Sequence, residues 1–597
     1  MNSIDHLSSW RELGIYLSQP REFPGRPLAM LSFLLQRGDW PGSPFPFKLV
    51  NLGLHLMCGL LVFQLTRRLS RSFGKDNDTP PHVRQHEIAA LLATAAWLLN
   101  PMELSGVVSV IQRMTLLMAL FVLLGLLAYL RGMLREDLSI SRRTAWMIIG
   151  LGLCTLLAFL CKENGVLLPV YALTLDATVL RKPVNRLPKP LKWLRRLLIW
   201  PATLFVLGYL AHIGFIAWGQ HYGRDFTLGE RLLTEPRVLA SYLVNTFLPR
   251  FGIYGLYHDD FAVSHGLAST PATLPCLALL IAALVAAFAS LKRRPLLAMA
   301  ILWYLGGQLI ESTTVMLELY FEHRNYVPLI GPMMAIGMGL TRLRTPVQRK
   351  LTQLAYGTWL AACCLATTLS ARVYASENLL ATAWSHAQPG SARAQIYLAG
   401  RLSQNGHSAK ALEIISTLQT REPQNAGLAA NRVYLLCRMG TLKTGDLDEL
   451  DHVLRLATFD RAAYENIETL RELATTRQCP ALDDARWVSM TGIMLDNPAY
   501  RDNSVSNGFL HYQRHLWAVQ HGDLNMAISE LDAVYQADPD ANIPRLQAKY
   551  LVSAGLRAQA IDVLRDTDAR RLPLLRRLLV NDKAINEETI VEIEHMK

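Results

Sequence analysis

Glu322, His323, Arg324 and Asn325 follow one another in the stretch FEHRNYVP, at the mouth of an apolar run. Three ionisable groups and an amide at a membrane boundary are costly to desolvate, so such groups usually have a job. An arginine fork matches phosphate oxygens, and a histidine adds a donor or a proton. Together they suit an anionic headgroup; the plainer reading is an internal ion pair that fixes the helix end. Arg113 suits the same phosphate role, against an interfacial arginine that merely snorkels. Lys162–Glu163–Asn164–Gly165 is a second polar turn between apolar runs, read either as a site or as a self-neutralised turn. His258–Asp259–Asp260 offers a general base or a metal ligand, against ordinary solvated loop acids. Arg26, within Gly25–Arg26–Pro27–Leu28, is a further cation, and Asn51 with His55 forms a polar stripe that more often bonds between helices. Asn100–Pro101–Met102–Glu103 adds one more acid. A divalent metal is compatible with these groups, but no Cys/His spacing suggests zinc.

Ten apolar segments must position these residues: 48–66, 86–99, 114–130, 145–161, 165–180, 197–218, 272–291, 295–311, 326–341 and 351–371. A span needs about 20 apolar residues, somewhat fewer where it is irregular. The connections alternate in charge. Those at 67–85, 131–144, 181–196, 292–294 and 342–350 hold 23 Lys and Arg, against 7 on the opposite side. The positive-inside rule assigns the first set to the cytoplasm. Every candidate above, and the chain after residue 371, then faces outward. Residues 1–47 must also face outward. Either the first span exports them or a helix precedes Met1; the second is the expectation adopted.

The net charge of +12 over 597 residues does not point to nucleic acid, because the cations sit in short connections and form no basic stripe with interleaved aromatics. Six of the eight cysteines lie in or beside apolar helices and read as small apolar side chains. Cys437 and Cys479 lie in the polar last third and can pair in an oxidising compartment.

After residue 371 the pattern changes to short amphipathic helices. Pro389 and Pro423 are 34 residues apart, and Gly522 and Gly555 are 33 apart. Gly406, Gly522 and Gly555 each precede an alanine by five residues: Ala411, Ala527 and Ala560. A glycine at the inter-helix turn and a small residue where helices cross is tetratricopeptide logic. Units are expected at 389–422, 508–541 and 542–575, with degenerate hairpins over 424–507. Such solenoids offer a concave surface to a peptide or partner; the plainer reading is a helical spacer.

NPMELSGVVSVIQRMTLLMALFVLLGLLAYLRG, FLCKENGVLLP and FEHRNYVPLIG, with GRPLAMLSF and FKLVNLGLHLMCGLLVF before them, resemble signature blocks of bacterial membrane proteins with C-terminal tetratricopeptide repeats. These are similar to the transmembrane and tetratricopeptide repeat protein O-mannosyltransferases. The resemblance covers residues 20–375 in blocks, plus the repeats. It implies an all-α GT-C glycosyltransferase: a polytopic transmembrane helical bundle followed by a tetratricopeptide-type α-solenoid. The domains are then 1–47, an outward segment; 48–371, the membrane body; and 372–597, the extracytoplasmic repeats. The implied site is a multi-pass bacterial inner membrane, with the repeats in the periplasm. The donor would be a polyprenyl-phosphate-linked sugar and the acceptor a protein presented by the repeats. Arg113, Lys162, Glu322, His323, Arg324 and Arg26 would hold the lipid phosphate; Asp259, Asp260 and then Glu163 would supply the base. Two features depart from the family. The acidic pair expected after a first helix is absent, and Asn100–Pro101 with Ser105 stands where a His–Pro with a downstream Glu is expected. The competing reading is a non-enzymatic, membrane-anchored scaffold for envelope or pilus assembly.

Overall fold

The computed structural model describes residues 26–595 except 40–41, 74–79, 219–225, 251–253, 256, 344, 568–571 and 573. Most of the expected N-terminal segment, residues 1–25, therefore lies outside the described residues. The fold is all-α, with no strand among the described residues. It divides into two compact units, Glu22–Ser391 and Ala392–Lys597.

In the first unit six helices are long and apolar enough to cross a bilayer: Phe45–Phe73, Val110–Leu134, Ile140–Phe159, Lys189–Ala217, Thr273–Ser290 and Pro346–Val373. Val83–Leu98 and Pro101–Val108 make a seventh if the pair, bent by 53°, is one span. The chain is thus a multi-pass membrane protein. Val110–Leu134 is central, with Leu116, Ala119, Val122 and Leu126 inaccessible. Thr273–Ser290 is peripheral and leaves Leu279, Val285 and Phe288 exposed. Apolar faces of that extent need lipid to cover them.

Three of the ten apolar segments give helices shorter than a span: Leu168–Ala177, Pro295–Gly307 and Ile330–Leu340. For the first and the last the reason is local. Residues 163–167 and 322–325 form tight 3-10 turns, so the polar stretches KENG and EHRN interrupt what sequence alone joins to the apolar runs. Non-helical backbone is tolerated at such depth only where protein or a polar cavity surrounds it. Gly165 fixes one of these turns: a Cβ there would meet Ala158 Cβ at 2.6 Å. The connection 219–271, between two of the apolar segments, contains the helix Leu228–Phe247. A Thr227–Glu230 capping box starts it. Its charges and Pro236 conceal it from an apolar-run reading.

The second unit is built from antiparallel helix pairs, among them Ala392–Gln404 with Ser408–Arg421, Ser504–Gln520 with Leu524–Ala537, and Asn542–Ser553 with Arg557–Arg565. Gly406, Gly522 and Gly555 sit at the turns with φ of 83°, 72° and 79°, where a side chain would be strained. Ala411, Ala527 and Ala560 are buried at the crossings. Gly440 adopts the same conformation between Ala426–Arg438 and Thr444–Leu456. That hairpin escapes the sequence period because the fifth residue after the glycine is Gly445, not alanine. Cys437 and Cys479 are joined as a disulfide. The 42-residue separation predicts that Cys437→Ser costs this unit about 4 kcal/mol on a chain-entropy estimate. Thermal unfolding of the oxidised protein checks it, with the variant melting lower and wild type under reductant moving the same way.

Candidate functional site

Arg26 and Glu163 meet across 137 residues of sequence. Arg26 Nε donates to Glu163 Oε1 at 3.0 Å and Arg26 Nη2 to Oε2 at 3.2 Å. Arg26 holds a left-handed backbone, φ 48°. A non-glycine residue in that region persists where its surroundings over-determine it, and here the two-pronged pair does so. Lys162, next in sequence to Glu163, is itself buried and paired: its Nζ lies 2.8 Å from Glu311 Oε1. The lysine thus has an acid from the turn that follows the helix Pro295–Gly307.

The 322–325 turn faces two ways. Glu322 is turned toward the 254–260 segment, where His258 Nε2 donates to its Oε1 at 2.6 Å and Gly255 N at 3.3 Å. It anchors that loop. Asn325 is fully engaged, taking Gln308 Nε2 at 3.1 Å on its Oδ1 and donating to Glu322 O. His323 is held neutral: burial, then the charges of Lys162, Arg324 and Arg26, push its pKa well below the ordinary histidine value. The charges of those three cations thus act on one imidazole. Gln112 Nε2 lies 3.4 Å from its Nε2.

Arg324 is placed differently from its neighbours. Its Nη1 donates to Leu319 O at 3.1 Å and its guanidinium lies over the Phe321 ring. It forms no ion pair among the described residues, while Arg26 and Lys162 each have a carboxylate. A second arginine, Arg231, is inaccessible and pairs with Glu235 at 2.7 Å. Glu235 has a raised pKa because burial outweighs Arg231 and Arg324 beside it. The cluster therefore carries a surplus positive charge at Arg324, next to a neutral histidine.

Arg113 is not part of that cluster. All three of its nitrogens are engaged by the chain: Nε with Asn51 Oδ1 at 3.0 Å, Nη1 with Ser32 O and Nη2 with Phe47 O, both at 3.1 Å. Phe33 and Phe47 lie against its guanidinium. It ties the helices Pro27–Leu34, Phe45–Phe73 and Arg113–Leu134 together, and Arg26 Nη1 reaches the next residue, Met114, at its Sδ. His55, noted with Asn51, bonds the Tyr326 hydroxyl at 2.7 Å. Glu103 is buried, and neither carboxylate oxygen has a hydrogen bond among the described residues.

Asp259 and Asp260 are exposed beside the 388–391 segment. Asp259 Oδ1 accepts from Ser391 Oγ at 2.5 Å, and Asp260 lies against Gly390, where a Cβ would meet its Oδ2 at 3.1 Å. Partial burial and the neighbouring Asp259 raise the pKa of Asp260. His258 links this acidic pair to Glu322. Burial works against its charge, but Glu322 and Asp260 outweigh it, and its pKa is raised above 6.5. The His258–Glu322 pair therefore contributes fully below about pH 6.5 and is lost as pH rises through the higher folded value. Hydrogen-exchange protection over residues 254–261, corrected for the intrinsic base-catalysed rate, is expected to fall on the alkaline side in wild type. In His258→Gln the corrected protection should not change with pH.

Among the described residues, no group of three or more His, Cys, Asp and Glu side chains is gathered as for a metal. The sequence reading missed Glu311, Arg231 and Glu235. Only the spacing of Arg231 and Glu235, one helical turn apart, could have signalled any of them.

No protein-family profile matches the chain. Two named relatives do, over part of it. The chain is 32% identical over 149 residues to a protein O-mannosyl-transferase, Tmtc3, of Drosophila melanogaster, covering 24% of this chain and 16% of that protein. It is 32% identical over 146 residues to the mouse (Mus musculus) protein O-mannosyl-transferase TMTC4, covering 24% of this chain and 19% of that protein. The match thus spans less than a fifth of either relative, and over that stretch the chain is similar to protein O-mannosyl-transferases.

Proposed function

We propose that the chain is a membrane glycosyltransferase of GT-C type, moving a sugar from a polyprenyl-phosphate-linked donor to a hydroxyl of an extracytoplasmic protein. The relatives' names favour mannose. The observation that carries this reading is Arg324: a guanidinium with no ion pair among the described residues, next in sequence to His323, with two cations already neutralised. That arrangement supports binding of one more anion. As the acceptor oxygen bonds to the sugar's anomeric carbon, the bond from that carbon to the phosphate oxygen breaks. Charge grows on the leaving polyprenyl phosphate, where Arg324 and a His323 N–H stabilise it. The acceptor proton passes to a carboxylate, for which Asp260 is the candidate, with Asp259 beside it. Glu163 is committed to Arg26, and Glu322 to His258.

The second unit, read as tetratricopeptide-type repeats, would present the acceptor, and the Cys437–Cys479 disulfide supports an oxidising, periplasmic location for it in a bacterial inner membrane. Asp260→Asn is expected to lower transfer on the order of 10²-fold or more. It should also remove a rise in rate with pH centred above the usual carboxylate range. Glycopeptide mass spectrometry of envelope proteins, with the chain quantified in the same membranes, measures this. Unchanged glycans in both Asp260→Asn and Arg324→Ala would leave the scaffold reading in its place.

A further inference from the structure

A cavity of about 630 Å³ opens among the basic connections and is lined by none of the candidate-site residues. It lies between the helices Leu168–Ala177, Arg181–Arg186 and Lys189–Ala217 and the end of Thr273–Ser290. Arg181, Arg195, Lys292 and Arg293 line it, against one acid, Asp176. Arg181, Lys292 and Arg293 form no ion pair among the described residues. Arg195 Nη1 and the Tyr129 hydroxyl both donate to Asp176 Oδ2 at 2.7 Å.

That pairing leaves two buried atoms unmatched. Among the described residues Arg195 Nε has no acceptor, and Asp176 Oδ1, on a side chain 2% exposed, has no donor. Leaving such groups unpaired is costly, so a ligand that pairs them is favoured. A ligand that satisfied both would carry an anionic oxygen for the guanidinium and a hydroxyl for the carboxylate. The apolar wall indicates what else it carries. Trp200 and Phe288 also line the cavity and are 46% and 63% exposed on helices that face lipid. The opening is therefore continuous with the bilayer, and clustered cations at helix ends suit anionic headgroups.

We propose that this cavity binds the headgroup of a hydroxyl-bearing anionic phospholipid of the phosphatidylglycerol class. Its phosphate sits among Arg195, Lys292 and Arg293, its hydroxyl donates to Asp176, and its acyl chains run along Trp200 and Phe288. The inference rests on the multi-pass fold and not on the glycosyltransferase reading.

Native mass spectrometry of the purified full chain tests it, with phosphatidylglycerol, phosphatidic acid or phosphatidylcholine added in mixed micelles. Wild type should retain one phosphatidylglycerol in preference to the other two. Lys292→Ala with Arg293→Ala, which leaves the buried Asp176–Arg195 pair intact, should lower retention about tenfold or more. Arg195→Ala should do the same if it folds. Equal retention by the double variant and wild type, or equal retention of phosphatidylcholine, overturns the proposal. So does displacement of the lipid by millimolar glycerol 3-phosphate, which would assign the site to a soluble ester.

Discussion

Arg324→Ala is expected to lower sugar transfer on the order of 10²- to 10³-fold per folded molecule, the usual loss when one donor to developing charge is removed. The guanidinium is the surplus cation of its cluster, since Arg26, Lys162 and Arg231 each face a carboxylate. Its structural bonds are few: one donation to Leu319 O and the contact with Phe321. Thermal unfolding should therefore move little while transfer collapses. Arg324→Lys keeps the charge but loses the fork, so it should recover only part of the rate. Glycopeptide yield normalised to the amount of chain gives the comparison. A variant that unfolds in proportion to its lost activity would return Arg324 to a structural role.

Arg113→Ala should fail in the opposite way. Removing the guanidinium strips the donors from Asn51 Oδ1, Ser32 O and Phe47 O and leaves a cavity between Phe33 and Phe47. The buried Asn51 Oδ1 is left without its donor, at about 1–3 kcal/mol, and the cavity adds to this, so the sum is about 3 kcal/mol or more. The expected result is a large fall in steady-state level and in unfolding temperature. Transfer per surviving folded chain should stay at the wild-type level. If that specific activity falls as far as in Arg324→Ala, Arg113 reaches the ligand after all.

The contrast between these arginines marks where sequence reading stopped. Both stand at the start of an apolar run, and hydropathy gives them the same status. What separates them is the set of partners, which comes from 51, 32 and 47 for one and from 319 and 321 for the other. Glu163 and Glu322 show the same limit. Each reads as an available carboxylate, and each is committed, to Arg26 and to His258, across 137 and 64 residues of chain. Glu311 was invisible because nothing near it in sequence is charged, yet it neutralises Lys162. By contrast, the helical class and the glycine–alanine turns follow from local propensity and period. They were legible at Gly406, Gly522 and Gly555 for that reason. The short helices after KENG and EHRN were not, because composition cannot tell a span from a span broken by a tight polar turn.

Photo-crosslinking with a polyprenyl phosphate carrying a diazirine near its phosphate is the most direct measurement. It would be made on the purified full chain, followed by peptide mapping. Labelling should concentrate on residues 321–326 and 160–164, be competed by unlabelled polyprenyl phosphate, and fall about tenfold or more in Arg324→Ala. Labelling confined to the cavity at Arg195, Lys292 and Arg293, or equal labelling of Arg324→Ala and wild type, would contradict a phosphate site at the 322–325 turn.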